Sequence, residues 1–128
     1  MSYKSANANC AKEMGNYGKG ILFEPKSLDM NNMVASMAMR SLSSSNSSHI
    51  AAHIGVNDIM KPDTYVYDSD STPITFSPKW YDEHGITDHK PRNNISSHEC
   101  IIMVVSNDSY LGSWADYKCN TPYPSICE

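Results

Sequence analysis

The sequence predicts an α+β domain in which helices come first and a loop-rich sheet follows. Helical apolar spacing occupies the first third of the chain, and short β-branched runs separated by turn residues fill the rest. The four cysteines are an even number, which fits a small domain closed by disulfides. A chain of 128 residues suffices for one domain with a modest core, so we expect a single domain over residues 1–128.

Two helices are predicted. The first covers Ser5–Met14, with Cys10 on its inward side and Gly15 as its stop signal. The second begins after Ser27, a typical N-cap, and places apolar residues at helical spacing. These residues are Met30, Met33, Val34, Met37 and Ala38. We expect this methionine-rich face to pack in the core; an adaptable binding face is the alternative.

A serine-rich tract, Ser41–Ser48, then predicts a loop, because it holds little apolar area to bury. Short strands are expected downstream and just before the second helix. They cover Ile21–Phe23, His53–Val56, Thr64–Tyr67, Ile101–Val105, Gly112–Asp116 and Ser125–Cys127. The fully apolar run Ile101–Val105 is typical of a central strand. Between Ser77 and Glu99 only loop residues are recognised, which predicts one long functional loop.

The cysteines are Cys10, Cys100, Cys119 and Cys127. No C-x-x-C pair occurs, so disulfides fit better than zinc, and three pairings are open; four free thiols in a cytosolic protein are the alternative. Three N-glycosylation sequons, at Asn46, Asn94 and Asn107, favour a secreted or extracellular glycoprotein.

Charge and motifs exclude several classes of protein. The net charge is −4 and the ten Lys and Arg residues form no basic stripe, so nucleic acid is not an expected partner. No apolar run approaches the roughly 18 residues of a spanning helix, so we expect no membrane insertion. The sequence lacks nucleophile-elbow and phosphate-loop motifs, which predicts that the protein is not an enzyme.

The end of the chain carries a recognisable motif, Gly112-x-Trp114-x-Asp116-x-x-Cys119 followed by Pro-Ser-Ile-Cys-Glu at 124–128. This resembles the closing motif of C-type lectin-like domains, and the match extends upstream through Cys10, Ile54-Gly55-Val56-Asn57-Asp58 and Glu99-Cys100. The resemblance implies two helices flanking a twisted antiparallel sheet, with disulfides Cys10–Cys127 and Cys100–Cys119. The sequence starts almost directly with the first helix, so the family's first strand is expected either to be missing or to lie before residue 1.

Sugar-binding members of the family hold calcium on the long loop, through carboxylate and amide oxygens. At the corresponding positions this sequence has Lys90, Arg92, His98 and Ala115-Asp116, of which only Asp116 keeps an oxygen ligand. Calcium takes about six to eight oxygens, and two cations would repel it, so no calcium is expected at the usual site. No cofactor is required.

Two auxiliary calcium positions of the family are less altered. One would use Asp58, Asn93 and Glu99, which retain oxygens. The other, near the second helix and the chain end, would retain Glu24 and Glu128 but has Lys26 and Met30 where acids are expected.

The resemblance therefore predicts a non-catalytic lectin that binds a glycan without calcium at the usual site. An anionic glycan is one of the expected ligands. The ligand-binding candidates are Lys90, Arg92, Asn93, His98, Asp116 and Trp80. Arg offers a fork matched to sulfate or carboxylate, and an aromatic ring stacks on sugar. A domain that binds an extracellular protein and has lost sugar binding is the alternative, and a homo-oligomer stays open.

Overall fold

The computed structural model describes residues 1–13, 20–44, 51–61, 64–82, 85–87, 99–106 and 108–128. Within these residues two helices precede six strands, which confirms the α+β prediction. The helices are α1 (Tyr3–Glu13) and α2 (Leu28–Ser44). The strands are β1 (Ala51–Asn57), β2 (Val66–Tyr67), β3 (Trp80–Asp82), β4 (Gly85–Thr87), β5 (Glu99–Val104) and β6 (Trp114–Lys118).

The strands form one sheet in the order β2-β1-β5-β6-β3-β4. All neighbours are antiparallel except β3 and β6, which are parallel. The apolar strand β5 lies between β1 and β6, and its Ile101 and Met103 are fully buried. The prediction of a central strand at this run is confirmed.

Two disulfides close the fold. Cys10 of α1 is bonded to Cys127, and Cys100 of β5 to Cys119, which follows β6. This is the nested pairing that the family resemblance implied. Because Cys10 is completely buried, the predicted inward side of α1 is confirmed as well.

Helix α2 begins as predicted, since the Ser27 hydroxyl oxygen accepts a 3.1 Å hydrogen bond from the Met30 backbone N–H. Its inward face is rotated from the predicted one and includes only part of it. Met33 is 51% exposed and Met37 40% exposed, whereas Asn31, Val34 and Ala35 are buried. The expectation of a core face was therefore wrong for Met33 and Met37, but it is confirmed for Val34 and for Met30, which is partly buried against the main core.

Two hydrogen bonds explain this rotation of α2. Asn31 Nδ2 donates to the Gly112 carbonyl at 2.9 Å, and Asn31 Oδ1 accepts from Trp114 Nε1 at 2.8 Å.

The helix also continues to Ser44, so the loop predicted for Ser41–Ser48 was wrong for its first four residues. Extending a nucleated helix costs little, since each added residue brings one hydrogen bond. Residues 45–50 are outside the described residues.

The long loop predicted between Ser77 and Glu99 was wrong in part, because it contains β3 and β4. Trp80 pairs with Trp114 of β6, and the Trp114 backbone N–H donates to the Lys79 carbonyl at 2.8 Å. The predicted strands Ile21–Phe23 and Ser125–Cys127 form only isolated bridges. Leu22 pairs with Cys127, and Ser125 pairs with His53 of β1. A single bridge is too short to count as a strand.

The main core lies on one face of the sheet. Fully buried large side chains come from the segment before α2 and from β1, β2, β5 and β6: Phe23, Ile54, Val56, Tyr67, Ile101, Met103 and Trp114. Among the described residues, no helix has the length and apolar character needed to cross a membrane.

Candidate functional site

The predicted binding loop is only partly described. Lys90, Arg92, Asn93 and His98 lie outside the described residues. Trp80, Asp116 and Asp58 lie within them. The proposed cluster of loop ligands therefore stays a prediction, and only its neighbours in the sheet can be placed.

Trp80 is not available as an open stacking surface. Its side chain is 5% exposed and lies in the main core, with its ring centroid 6.0 Å from that of Trp114 and 5.3 Å from that of Tyr65. The pairing of β3 with β6 turns this ring inward. The expectation that Trp80 lies in an open loop was therefore wrong, because the residue belongs to a strand and its ring is buried, which argues against a ligand contact.

Asp116 lies opposite Ile101 in the β5–β6 ladder, on the same sheet face as Trp114, and is half-buried. Glu99 is paired with Lys118 at the end of the same ladder. Asp58 follows β1 directly and is 4% exposed. Because Asn93 lies outside the described residues, the auxiliary calcium position of Asp58, Asn93 and Glu99 stays a prediction.

A second group of acids is fully placed, between the segment before α2, the turn after β2 and the chain end. Glu24 and Glu128 are both buried. Glu24 Oε1 accepts a 2.7 Å hydrogen bond from the Ser69 hydroxyl, and Oε2 accepts one of the same length from the Ser69 backbone N–H. Glu128 Oε2 accepts from the Glu24 backbone N–H at 3.3 Å.

A lysine supplies positive charge to this group. Lys26 Nζ lies 3.5 Å from Glu24 Oε1 and 3.4 Å from the centroid of the Tyr67 ring. The ammonium group therefore has both a carboxylate and an aromatic face beside it, which is the arrangement of a salt bridge combined with a cation–π contact.

The other face of the sheet carries a groove that the sequence did not reveal. Its floor includes Ile102 and Ala115, a cross-strand pair on the face opposite to Trp114. Four tyrosines line it: Tyr81 of β3, Tyr117 of β6, Tyr110 of the β5–β6 connection and Tyr123 near the chain end. We call this the tyrosine groove. Its volume is about 210 Å³.

The tyrosines of the groove are arranged as two pairs. The ring centroids of Tyr81 and Tyr110 are 5.2 Å apart, and those of Tyr117 and Tyr123 are 6.1 Å apart, both in edge-to-face orientation. A compositional excess is the one sequence signal that points to the groove, since the chain has eight Tyr against two Phe. Tyrosine is enriched where an apolar body and a polar tip must both be satisfied at a binding surface.

The family model of the C-type lectin domain matches residues 1–128 of the chain. The chain belongs to the C-type lectin domain family. Among curated protein sequences, none matches this C-type lectin domain significantly.

Solved structures of other C-type lectin-like proteins share the fold at low sequence identity. Human lithostathine is 16% identical, with a TM-score of 0.67 over 97% of this chain and 80% of its own. A protein described as a calcium-independent type II antifreeze protein is 20% identical, with a TM-score of 0.64 over 99% of this chain and 77% of its own. The carbohydrate-recognition domain of the mouse scavenger receptor C-type lectin is 16% identical, with a TM-score of 0.62 over 94% of this chain and 75% of its own.

The family resemblance implied a calcium position at Glu24 and Glu128, and the donor set there does not suit the ion. Calcium needs about six to eight oxygen ligands, several of them anionic. In this C-type lectin domain both Glu24 oxygens accept hydrogen bonds from Ser69, and the Lys26 ammonium lies beside Oε1. A divalent cation there would have to displace both donors and sit next to a positive charge.

Proposed function

We propose that this C-type lectin domain is a non-catalytic recognition domain that binds a glycan without calcium at the family's sugar site. The observation that carries the proposal is the position of Lys26. Its Nζ lies 3.5 Å from the buried Glu24 carboxylate. At this auxiliary calcium position of the family, apart from the sugar site, the protein therefore supplies its own cation. We expect the same substitution on the long loop, where Lys90 and Arg92 replace oxygen ligands.

The chemistry of those two loop cations sets the expected ligand. An Arg guanidinium forms paired hydrogen bonds with a planar carboxylate or with sulfate, and Lys adds a point charge. A sialylated or sulfated glycan fits this pair better than a neutral one. Asp116 and Asn93 would supply hydrogen bonds to sugar hydroxyls.

Two further findings support the proposal. The shared fold with a protein described as calcium-independent indicates that this scaffold is compatible with the absence of calcium. Both cysteine pairs are oxidised, which suits the extracellular setting in which glycans are met.

The test is a glycan-array profile of the oxidised domain, run in parallel with millimolar calcium and with a chelator. We expect binding to an anionic glycan that is equal in the two buffers. The double variant Lys90→Gln with Arg92→Gln should lose it, and Lys4→Gln, an exposed lysine of α1, is the matched control. Binding that chelation abolishes, or that the double variant retains, contradicts the proposal.

A protein ligand is the second candidate, and exposed apolar residues on α2 favour it. Met33, Met37 and Leu28 are between 37% and 51% exposed. Methionine adapts its shape to different partners and is frequent at binding surfaces. No glycan binding in either buffer, together with self-association that Met33→Lys and Met37→Lys abolish, would select this reading with a second copy as the partner.

A further inference from the structure

The tyrosine groove has the composition of a site for a cation with apolar substituents. Among the described residues that line it, Asp108 is the one that is charged at neutral pH. Aromatic rings carry negative charge on their faces, so the four tyrosines and the Asp108 carboxylate attract a cation. The N-terminal ammonium of Met1, which donates to the Tyr123 carbonyl at 3.0 Å, is the positive charge beside them. Anionic ligands are disfavoured there, which separates this groove from the glycan site proposed for the loop.

The Asp108 carboxylate is held in place by its own turn. Oδ1 accepts a 2.8 Å hydrogen bond from the Ser106 hydroxyl and a 2.9 Å hydrogen bond from the Tyr110 backbone N–H. Within the described part of the chain no hydrogen bond to Oδ2 is found, so this oxygen can face a ligand. The same turn fixes Tyr110, whose carbonyl accepts from the Ser113 hydroxyl at 2.7 Å. Both the charge and one aromatic wall are thus positioned before any ligand arrives.

The floor of the groove limits which cation can enter. Ile102 and Ala115, a buried cross-strand pair, offer no hydrogen bond from their side chains to a primary ammonium group or a metal ion. A strongly hydrated cation could regain hydrogen bonds from Asp108 and the other polar side chains that line the groove, but none from this floor. A quaternary ammonium group has methyl groups around a dispersed charge. Its desolvation therefore costs less free energy, and its methyl groups contact aromatic faces directly.

The size of the groove points the same way. Sites for drug-sized ligands have volumes of roughly 300–1,000 Å³. The tyrosine groove, at about 210 Å³, is smaller and suits a compact head group.

We propose that the tyrosine groove binds a small quaternary ammonium compound of the choline type. The Asp108 carboxylate balances the charge, and the rings of Tyr81, Tyr110, Tyr117 and Tyr123 enclose the methyl groups. This site lies on the sheet face away from the main core and does not depend on the loop residues Lys90 and Arg92.

The test compares choline with 3,3-dimethylbutan-1-ol, its uncharged carbon isostere, by calorimetry and by NMR of the tyrosine rings in the oxidised domain. A cation–π site predicts that choline binds at least about fivefold more tightly than the isostere. Methyl α-mannoside, a neutral sugar, is included as a third probe. Equal affinity for choline and its isostere, preference for the sugar, or no saturable choline binding would each overturn the proposal.

Two variant pairs locate the site. Asp108→Asn removes the charge and keeps an oxygen for the turn, so choline should lose its advantage over the isostere. Asp70→Asn is the matched control, because Asp70 Oδ1 accepts from the Thr72 backbone N–H and hydroxyl in the same kind of turn but does not line the groove. A loss of affinity that is equal in the two variants would contradict the assignment.

The second pair tests the aromatic wall at Tyr117, which is 39% exposed and lies edge-to-face with Tyr123. Tyr117→Phe keeps the ring face and should retain choline binding, whereas Tyr117→Leu should weaken it about threefold or more. Urea unfolding of both variants checks that they are folded. Equal choline affinity in the Phe and Leu variants would show that the ring does not contact the ligand.

Discussion

Trp114 Nε1 donates a 2.8 Å hydrogen bond to Asn31 Oδ1, and both side chains are buried. Asn31 in turn donates from Nδ2 to the Gly112 carbonyl at 2.9 Å. One amide side chain therefore connects α2 to the start of β6, with both of its polar atoms satisfied. A buried polar link of this kind specifies one orientation of the helix against the sheet.

Asn31→Ala is expected to lower the free energy of unfolding by about 1 to 3 kcal/mol, because it leaves the buried Trp114 N–H and Gly112 carbonyl without this partner. Urea unfolding under non-reducing conditions measures the loss. Asn120→Ala, at an exposed position away from Asn31, is the control, with an expected change below about 0.5 kcal/mol. Equal losses in the two variants would contradict the role given to Asn31.

The rotation of α2 can be tested by placing a charge on each face. Val34→Lys should destabilise the domain by several kcal/mol or prevent folding, since Val34 is 8% exposed within the main core. Met37→Lys, one turn further on, should change the free energy of unfolding by less than about 0.5 kcal/mol. If Met37→Lys is as damaging as Val34→Lys, the methionine face is covered in solution, and sedimentation would then show whether a second copy covers it.

Helix α2 shows which features the sequence predicts and which it does not. Helical spacing correctly placed α2 and its Ser27 cap, but periodicity ranks residues by apolarity. It therefore chose Met33 and Met37 over Asn31, whose partners lie about 80 residues away in the chain. A polar side chain that is buried because of a distant partner leaves no local pattern.

The sheet gives the same lesson. The apolar run of β5 was recognisable because a strand buried on both faces needs no alternation. Strand β3 has three residues, and its position depends on pairing with β6, which the sequence between Ser77 and Glu99 does not encode. Missing that pairing made Trp80 look exposed and hid the position of Tyr81 over the groove. The disulfide pairing, in contrast, followed from the order of family motifs.

Lys26 is predicted to stabilise the acidic group at the chain end. Lys26→Met removes the positive charge beside the buried Glu24 carboxylate and the contact with the Tyr67 ring. We expect a loss of about 1 kcal/mol in the free energy of unfolding, since the lysine is partly exposed and its charge is screened by solvent. The loss should shrink in high salt. Lys4→Met, on the exposed side of α1, is the control, and an equal effect there would contradict the role of Lys26.

The two disulfides should contribute unequally. Cys10 and Cys127 are 117 residues apart, whereas Cys100 and Cys119 are 19 apart. In the chain-entropy model the long bridge contributes about 5 kcal/mol and the short one about 3 kcal/mol. Replacing each pair by alanine leaves no free thiol, and urea unfolding of the two double variants compares them. A larger loss from Cys100→Ala with Cys119→Ala would show that packing around β5 outweighs the restriction of the unfolded chain.

His53 predicts that the domain loses stability in mild acid. Its Nε2 lies 2.9 Å from the Met1 carbonyl oxygen and 3.0 Å from that of Thr121. Carbonyl oxygens only accept, so Nε2 carries the proton and donates. Nδ1 is buried and has no hydrogen-bond partner among the described residues. Burial lowers the pKa of His53 below its usual value of 6.5, so the folded protein keeps the ring neutral.

In the unfolded chain His53 binds a proton as the pH falls through about 6.5, while the folded protein resists it. The contribution of His53 to the free energy of unfolding is therefore fully present above that pH. Below it, the free energy of unfolding declines by up to about 1.4 kcal/mol per pH unit, until the folded-state pKa is reached. Urea unfolding of the wild type and of His53→Gln between pH 7.5 and 5 measures the difference in slope. The other four histidines are present in both proteins, so their titration cancels. Parallel slopes for the two proteins would contradict the prediction. They would mean that His53 has the same pKa in the folded and unfolded states.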